Sequence, residues 1–264
     1  MTGVVARTPS GLATAGNPVQ NARVEYFEDG ADDSTALVAT TDQNGRFAFP
    51  AGGSGIVTAS KSGLATISVG WRSGTGALRI ELPPPATLTG RVYDMASRST
   101  IVEAHVSVMV DHPVSPRSSA VLTDNGSFDF DGLPPGSAVL LVQARGYAPT
   151  AATATLTGGR SRNVEVGMLL EGSVTGSVVD AQDNAVGGAL VEIEYQGFTD
   201  AALLSSGVSG YVLTGDDGRF LVTGIVPNEG FSIYAELEDG SRSDSQTLTA
   251  TPGTLIEGVV LTID

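Results

Sequence analysis

The sequence predicts an all-β protein built as three tandem Greek-key β-sandwiches, and three observations carry that prediction. Glycine occurs 34 times and proline 13 times while only 16% of residues are charged, a composition suited to short strands and turns rather than long helices. Apolar and polar residues alternate with a period of two over short runs, as half-buried strands require. Three short motifs recur in fixed order along the chain, the signature of an internal repeat.

The first motif opens each copy: Thr2-Gly3-Val4-Val5, Thr89-Gly90-Arg91-Val92-Tyr93-Asp94 and Thr175-Gly176-Ser177-Val178-Val179-Asp180, with glycines 87 and 86 residues apart. The second begins a strand at Pro18-Val19-Gln20-Asn21-Ala22-Arg23-Val24, at Ile101-Val102-Glu103-Ala104-His105-Val106 and at Ala185-Val186-Gly187-Gly188-Ala189-Leu190-Val191. In the middle copy Ala104, Val106, Val108 and Val110 should face the core, with His105, Ser107 and Met109 facing outward.

The third motif is the most specific. It reads Thr41-Asp42-Gln43-Asn44-Gly45-Arg46-Phe47, then Thr123-Asp124-Asn125-Gly126-Ser127-Phe128, then Thr214-Gly215-Asp216-Asp217-Gly218-Arg219-Phe220. Asn or Asp before Gly is a strong hairpin signal, because both residues accept positive φ at little steric cost. The structural turn residues are therefore Asp42, Asn44, Gly45 and Phe47, Asp124, Asn125, Gly126 and Phe128, and Asp216, Asp217, Gly218 and Phe220, each Phe pointing inward.

Apolar strands return at Ile56-Val57-Thr58-Ala59, at Val139-Leu140-Leu141-Val142 and at Phe231-Ser232-Ile233-Tyr234-Ala235. Closing strands follow at Leu78 to Leu82, Asn163 to Val166 and Leu255 to Leu261. Each copy supplies about seven strands, the size of one small sandwich, and places the sandwiches at residues 1–84, 85–171 and 172–264. Pro83-Pro84-Pro85 should stiffen the first joint, while Leu170-Glu171-Gly172-Ser173 should leave the second pliable. Three modules of roughly 35 Å in series predict a rod of about 100 Å.

A net charge of −15 argues against nucleic acid, whose binders need a basic surface. Acidity serves solubility, and no cofactor is expected. Calcium is the one cation the acids suggest, at Glu28-Asp29-Gly30-Ala31-Asp32-Asp33, at Asp216 and Asp217, or at Asp180 and Asp183, although none forms a complete loop motif. Cysteine is absent, so each sandwich must rely on its core alone. Residues Met1 to Arg7 lack the basic start and apolar run of a secretory signal, and no apolar stretch is long enough to insert in a membrane.

Candidate chemistry is sparse. His105 and His112 are the two histidines, too few and too poorly spaced for a metal centre or a catalytic triad. Asp129 and Asp131 share one face of a strand, an arrangement more common on a solvated surface than in glycoside chemistry. No catalytic, metal or cofactor-binding residue is assigned. Trp71, in Val69-Gly70-Trp71-Arg72-Ser73-Gly74, is flanked by turn residues and is the possible ligand contact, an accessible ring on which a sugar could stack, although a packed edge residue is the commoner outcome at such a position.

Together the three motifs, with Leu133-Pro134-Pro135-Gly136 and Gly146-Tyr147, resemble the carboxypeptidase regulatory-like family, the transthyretin-like fold also related to the B-type repeats of collagen adhesins. The resemblance implies immunoglobulin-like (prealbumin-like) sandwiches acting as accessory or stalk elements, some of which bind glycans. It carries over no zinc site, and Lys61, the single lysine, falls too late in its copy for the isopeptide bond of adhesin repeats. The expected function is a non-enzymatic structural or adhesive stalk on a cell or virion surface, such as a capsid decoration, fibre or tail protein. The alternative is a glycan-binding accessory module of a secreted multidomain protein. Partners would be other protein subunits or a surface glycan.

Overall fold

In the computed structural model, residues 1–8, 16–30, 36–50, 53–111, 117–123, 125–195 and 211–264 are described. They form strands and turns with no helix. The first copy contains β1 (Thr2–Arg7), β2 (Arg23–Glu28), β3 (Leu37–Thr40), β4 (Arg46–Ala48), β5 (Gly55–Ser60), β6 (Ile67–Trp71) and β7 (Leu78–Leu82). The second contains β8 (Ala86–Asp94), β9 (His105–Val110), β10 (Arg117–Leu122), β11 (Ser127–Leu133), β12 (Gly136–Gln143), β13 (Thr150–Leu156) and β14 (Ser161–Met168). The third contains β15 (Gly172–Asp180), β16 (Leu190–Tyr195), β17 (Tyr211–Leu213), β18 (Arg219–Ile225), β19 (Gly230–Glu236), β20 (Gln246–Thr249) and β21 (Leu255–Ile263).

All three copies have one topology. A three-stranded sheet places the first strand between the fourth and the last, in the orders β4-β1-β7, β11-β8-β14 and β18-β15-β21. The first strand runs antiparallel to the fourth and parallel to the last. A four-stranded antiparallel sheet covers it, in the orders β3-β2-β5-β6, β10-β9-β12-β13 and β17-β16-β19-β20.

The buried side chains gather into three separate cores, one between each pair of sheets. In β9, Val106, Val108 and Val110 are fully buried while His105 and Met109 are exposed, following the period of two in the sequence. Burying such a valine or leucine contributes about 1.5–3 kcal/mol, so repeated alternation is the main source of stability in a chain without disulfides.

The joints are short and bonded. Ala65 N–H donates to the Pro83 carbonyl at 2.9 Å and Gly159 N–H to the Pro85 carbonyl at 2.8 Å, tying the first joint to the sandwich on each side. At the second joint, too, the residues on either side are bonded to the adjoining sandwich. Ala148 N–H bonds the Leu169 carbonyl at 2.9 Å, Glu171 N–H bonds the Gly146 carbonyl at 3.1 Å, and Ser173 N–H bonds the Thr254 carbonyl at 3.0 Å. The partner groups lie far along the chain, in loops, so the linker residues themselves gave no sign of them.

Candidate functional site: the repeated crossing turn

The third motif does not join neighbouring strands of one sheet, as its Asn-Gly or Asp-Gly corner predicts. β3 belongs to the four-stranded sheet and β4 to the three-stranded one, and the pairs β10 and β11, and β17 and β18, divide in the same way. The motif is the place where the chain crosses from one sheet to the other. The reversal itself is local and conventional. Gly45 N–H bonds the Asp42 carbonyl at 2.9 Å and Asp42 N–H bonds the Arg46 carbonyl at 3.0 Å. The direction of exit is set instead by the residues that flank the corner.

The first of these is threonine. Buried Thr41 accepts from Ala22 N–H at 2.8 Å through Oγ1 and donates to the Val19 carbonyl at 2.6 Å. Thr214 repeats both bonds with Ala189 N–H at 2.9 Å and the Val186 carbonyl at 2.8 Å. Thr123 accepts from Ala104 N–H at 3.0 Å. The hydroxyl thus satisfies backbone groups of the second motif that would otherwise be buried without partners.

The second is the aromatic ring. Phe47, Phe128 and Phe220 are buried, and each pairs across its sheet with the glycine of the opening motif, Gly3, Gly90 or Gly176. A β-carbon on those glycines would lie 2.4, 2.4 and 2.7 Å from the facing Phe Cζ, far inside van der Waals contact. The ring therefore needs glycine beneath it. Opening strand, second motif and turn are one device, with threonine holding one sheet and phenylalanine the other.

The corners differ in detail. Gly45 and Gly218 each have a φ of 71°, and Asn44 and Asp217 stay on the negative side, the pattern of a type I turn closed by a left-handed glycine. In the second copy, one residue shorter, Asn125 at 50° and Gly126 at 76° are both left-handed, as a type I′ turn demands. Asp42 Oδ1 accepts from Asn44 N–H and Arg46 N–H, both at 2.8 Å. In the third copy Gly215 occupies the place of Asp42, exposed Asp216 follows it, and Asp217 Oδ1 accepts from Arg219 N–H at 3.1 Å. Asp124 lies outside the described residues.

A second acidic turn ends the first strand. Asp94 accepts from Ser97 N–H at 2.6 Å, Ser97 Oγ at 2.8 Å and Ala96 N–H at 2.9 Å, and these donors, with the Tyr147 hydroxyl, hold its carboxyl below the usual carboxylate range. Asp180 is held low by the Asn184 side chain, then by the Asn184 and Gln182 amides. The first copy has Arg7 at this position.

The remaining candidates do not converge. His105 is exposed on the outer face of its sheet, as is Asp129, and Asp131 accepts from Thr87 Oγ1 at 2.9 Å. His112, Asp32 and Asp33 lie outside the described residues. Among the described residues no group of three His, Cys, Asp or Glu is placed to hold a metal ion. Lys61 donates to the Asn21 carbonyl at 3.1 Å. In the third sandwich the Glu192 carboxylate bonds the Tyr234 hydroxyl and pushes its pKa up to about 12, while Arg242 lies 3.3 Å over the ring.

Trp71 is not the accessible ring its flanking residues suggest. It is 8% exposed and packs edge-on against Tyr26, with centroids 6.3 Å apart, inside the first core. The cause is strand phase, because Ile67, Val69 and Trp71 alternate on the inner face of β6. Its Nε1–H is buried and has no hydrogen-bond partner. Trp71 does line a groove of about 650 Å³ with Ser54, Thr75 and Arg79, but it does so as a buried member of the core.

The third strand of each copy, β3, β10 and β17, is a short run that lacks the motifs and has no mark of its own in the sequence. These are edge strands carrying exposed Leu37, Val38, Leu122, Tyr211 and Leu213.

Three repeated seven-strand sandwiches define the chain as a modular all-β protein. The carboxypeptidase regulatory-like domain family model matches residues 87–169, the span of the second sandwich, and the first and third sandwiches repeat the strand order of the second. No curated protein matches the sequence significantly. Among solved structures, the Bacillus anthracis TIE protein is 14% identical with a TM-score of 0.31, and the alignment covers 100% of this chain and 51% of that one. The chain thus spans about half the length of that protein. A Streptococcal ancillary pilin is 15% identical with a TM-score of 0.37, covering 100% of this chain and 98% of the other. GBS52, the minor pilin of Streptococcus agalactiae, is 10% identical with a TM-score of 0.40, covering 68% and 96%. Likenesses of this size transfer no function. Among the described residues no helix is long and apolar enough to cross a membrane.

Proposed function

We propose that the chain is a non-enzymatic structural stalk on a cell or virion surface, holding neighbouring protein subunits at a fixed distance. One observation carries this reading: the recurring Thr, Gly and Phe of all three copies are engaged inside their own sandwiches. A motif retained through such use specifies a rigid unit, and repetition of a rigid unit gives length. The bonded joints support the same reading, since a spacer needs stiff connections. The glycan-binding alternative loses the ring it depended on, with Trp71 in the core.

Immunogold labelling of intact source cells and of purified particles, with antibody to this chain, tests the proposal. Labelling of either intact surface supports it, and the particle arm distinguishes the virion version. Labelling that appears only after lysis overturns it.

A further inference from the structure

We propose that the third strands, β3, β10 and β17, are docking edges that pair with the equivalent strands of a second copy of this chain, joining two four-stranded sheets into one continuous sheet. Among the described residues each lies at the edge of its sheet, where alternate backbone N–H and C=O groups have no neighbouring strand to bond. Each also exposes large apolar side chains: Val38 at 50%, Leu122 at 69%, Tyr211 at 61% and Leu213 at 62%. The opposite edges, β6, β13 and β20, expose no large apolar residue.

Charge points to the occupant. The chain has 29 acidic residues and a net charge of −15, yet the sequences of β3 (LVAT), β10 (RSSAVL) and β17 (YVL) contain no Asp or Glu. Two copies repel one another over most of their surfaces and can approach through these strands. None of the three carries a proline or lysine, residues that commonly guard an edge against pairing. Recurrence narrows the occupant further, because a partner offering one strand requires one edge, whereas three equivalent edges match a partner with the same repeat. Association of like-charged chains through edges without acidic residues should strengthen with salt, the reverse of binding to a basic partner.

Sedimentation equilibrium of the full chain tests this, at ionic strengths from about 50 mM to about 500 mM. The expected result is reversible self-association that tightens as salt rises. The triple variant Val38→Lys, Leu122→Lys, Leu213→Lys moves the net charge toward zero, which favours association on general electrostatic grounds, and should still weaken it at least about tenfold. A wild-type circular dichroism spectrum and thermal melt establish that the variant is folded, with buried-type Trp71 emission reporting the first sandwich. Hydrogen exchange of the wild-type chain gives an independent reading, with β10 amides gaining protection as concentration rises. A chain monomeric at all concentrations, self-association untouched in the folded variant, or β10 exchange independent of concentration overturns the proposal. The measurement uses purified chain, so its outcome is separate from that of surface labelling.

Discussion

Replacing Thr41 with valine removes one hydroxyl from the first sandwich while keeping its shape almost unchanged. Two buried backbone groups lose their partner, Ala22 N–H at 2.8 Å and the Val19 carbonyl at 2.6 Å. A buried polar group left unsatisfied costs about 1–3 kcal/mol, and with two groups and some relaxation the expected loss is about 2–4 kcal/mol. Thr41→Ser keeps the hydroxyl and loses one methyl, an expected cost of about 1 kcal/mol. Trp71 is the single tryptophan and sits in the same core, so its fluorescence during urea unfolding reports the first sandwich alone. With a slope near 1 kcal/mol per molar urea for a domain of this size, Thr41→Val should lower the midpoint by about 2 M or more. A valine variant within about 0.5 kcal/mol of wild type, or a serine variant as unstable as the valine one, would refute the account of the threonine as a backbone pin.

Three further expectations follow from the same geometry. Gly90→Ala places a β-carbon 2.0 Å from the Val164 carbonyl oxygen and 2.4 Å from Phe128 Cζ, and should destabilise the second sandwich by about 3 kcal/mol, whereas a loss below about 1 kcal/mol in thermal melts would contradict the ring-over-glycine packing. Asp94 has a folded pKa below its unfolded one, so its stabilising contribution is present above about pH 4 and is lost as pH falls through the folded value; Asp94→Asn should flatten that acid limb, and an unchanged slope would count against it. Trp71 should emit as a buried indole, resist iodide quenching until the first sandwich unfolds, and cost about 3–5 kcal/mol on replacement by alanine, while ready quenching in the native state would return it to the surface.

Much of the fold was legible because the information is local and repeated. Period-two alternation marked strands such as β9, and three recurring motifs marked three copies. The crossing turn was legible as a turn but not as a crossing. Asn-Gly or Asp-Gly fixes a reversal over a few residues, whereas the sheet that receives the exit strand depends on contacts 19 to 45 residues away, between Thr41 and Ala22 or Thr175 and Phe220. Those contacts were present in the sequence as separate motifs, and only the fold joins them. For Trp71 the sequence left two readings, an accessible ring suggested by its flanking glycine and serine and a packed edge residue; the structure gives the packed one, because the phase of Ile67 and Val69 turns position 71 inward. The edge strands escaped notice for the opposite reason: with three to six residues each and no motif, they become distinctive only when their neighbours in the sheet are known.

The central claim is that three rigid sandwiches with bonded joints form a spacer. Small-angle X-ray scattering of the monomeric chain tests it most directly. Modules in series predict a maximum dimension of about 100 Å, while a chain of this length folded into one compact body would measure about 50 Å. A distance distribution ending near the larger value, unchanged by salt at concentrations where the chain is monomeric, is the predicted result. One ending near the smaller value, or a broad tail from freely jointed modules, would contradict the claim.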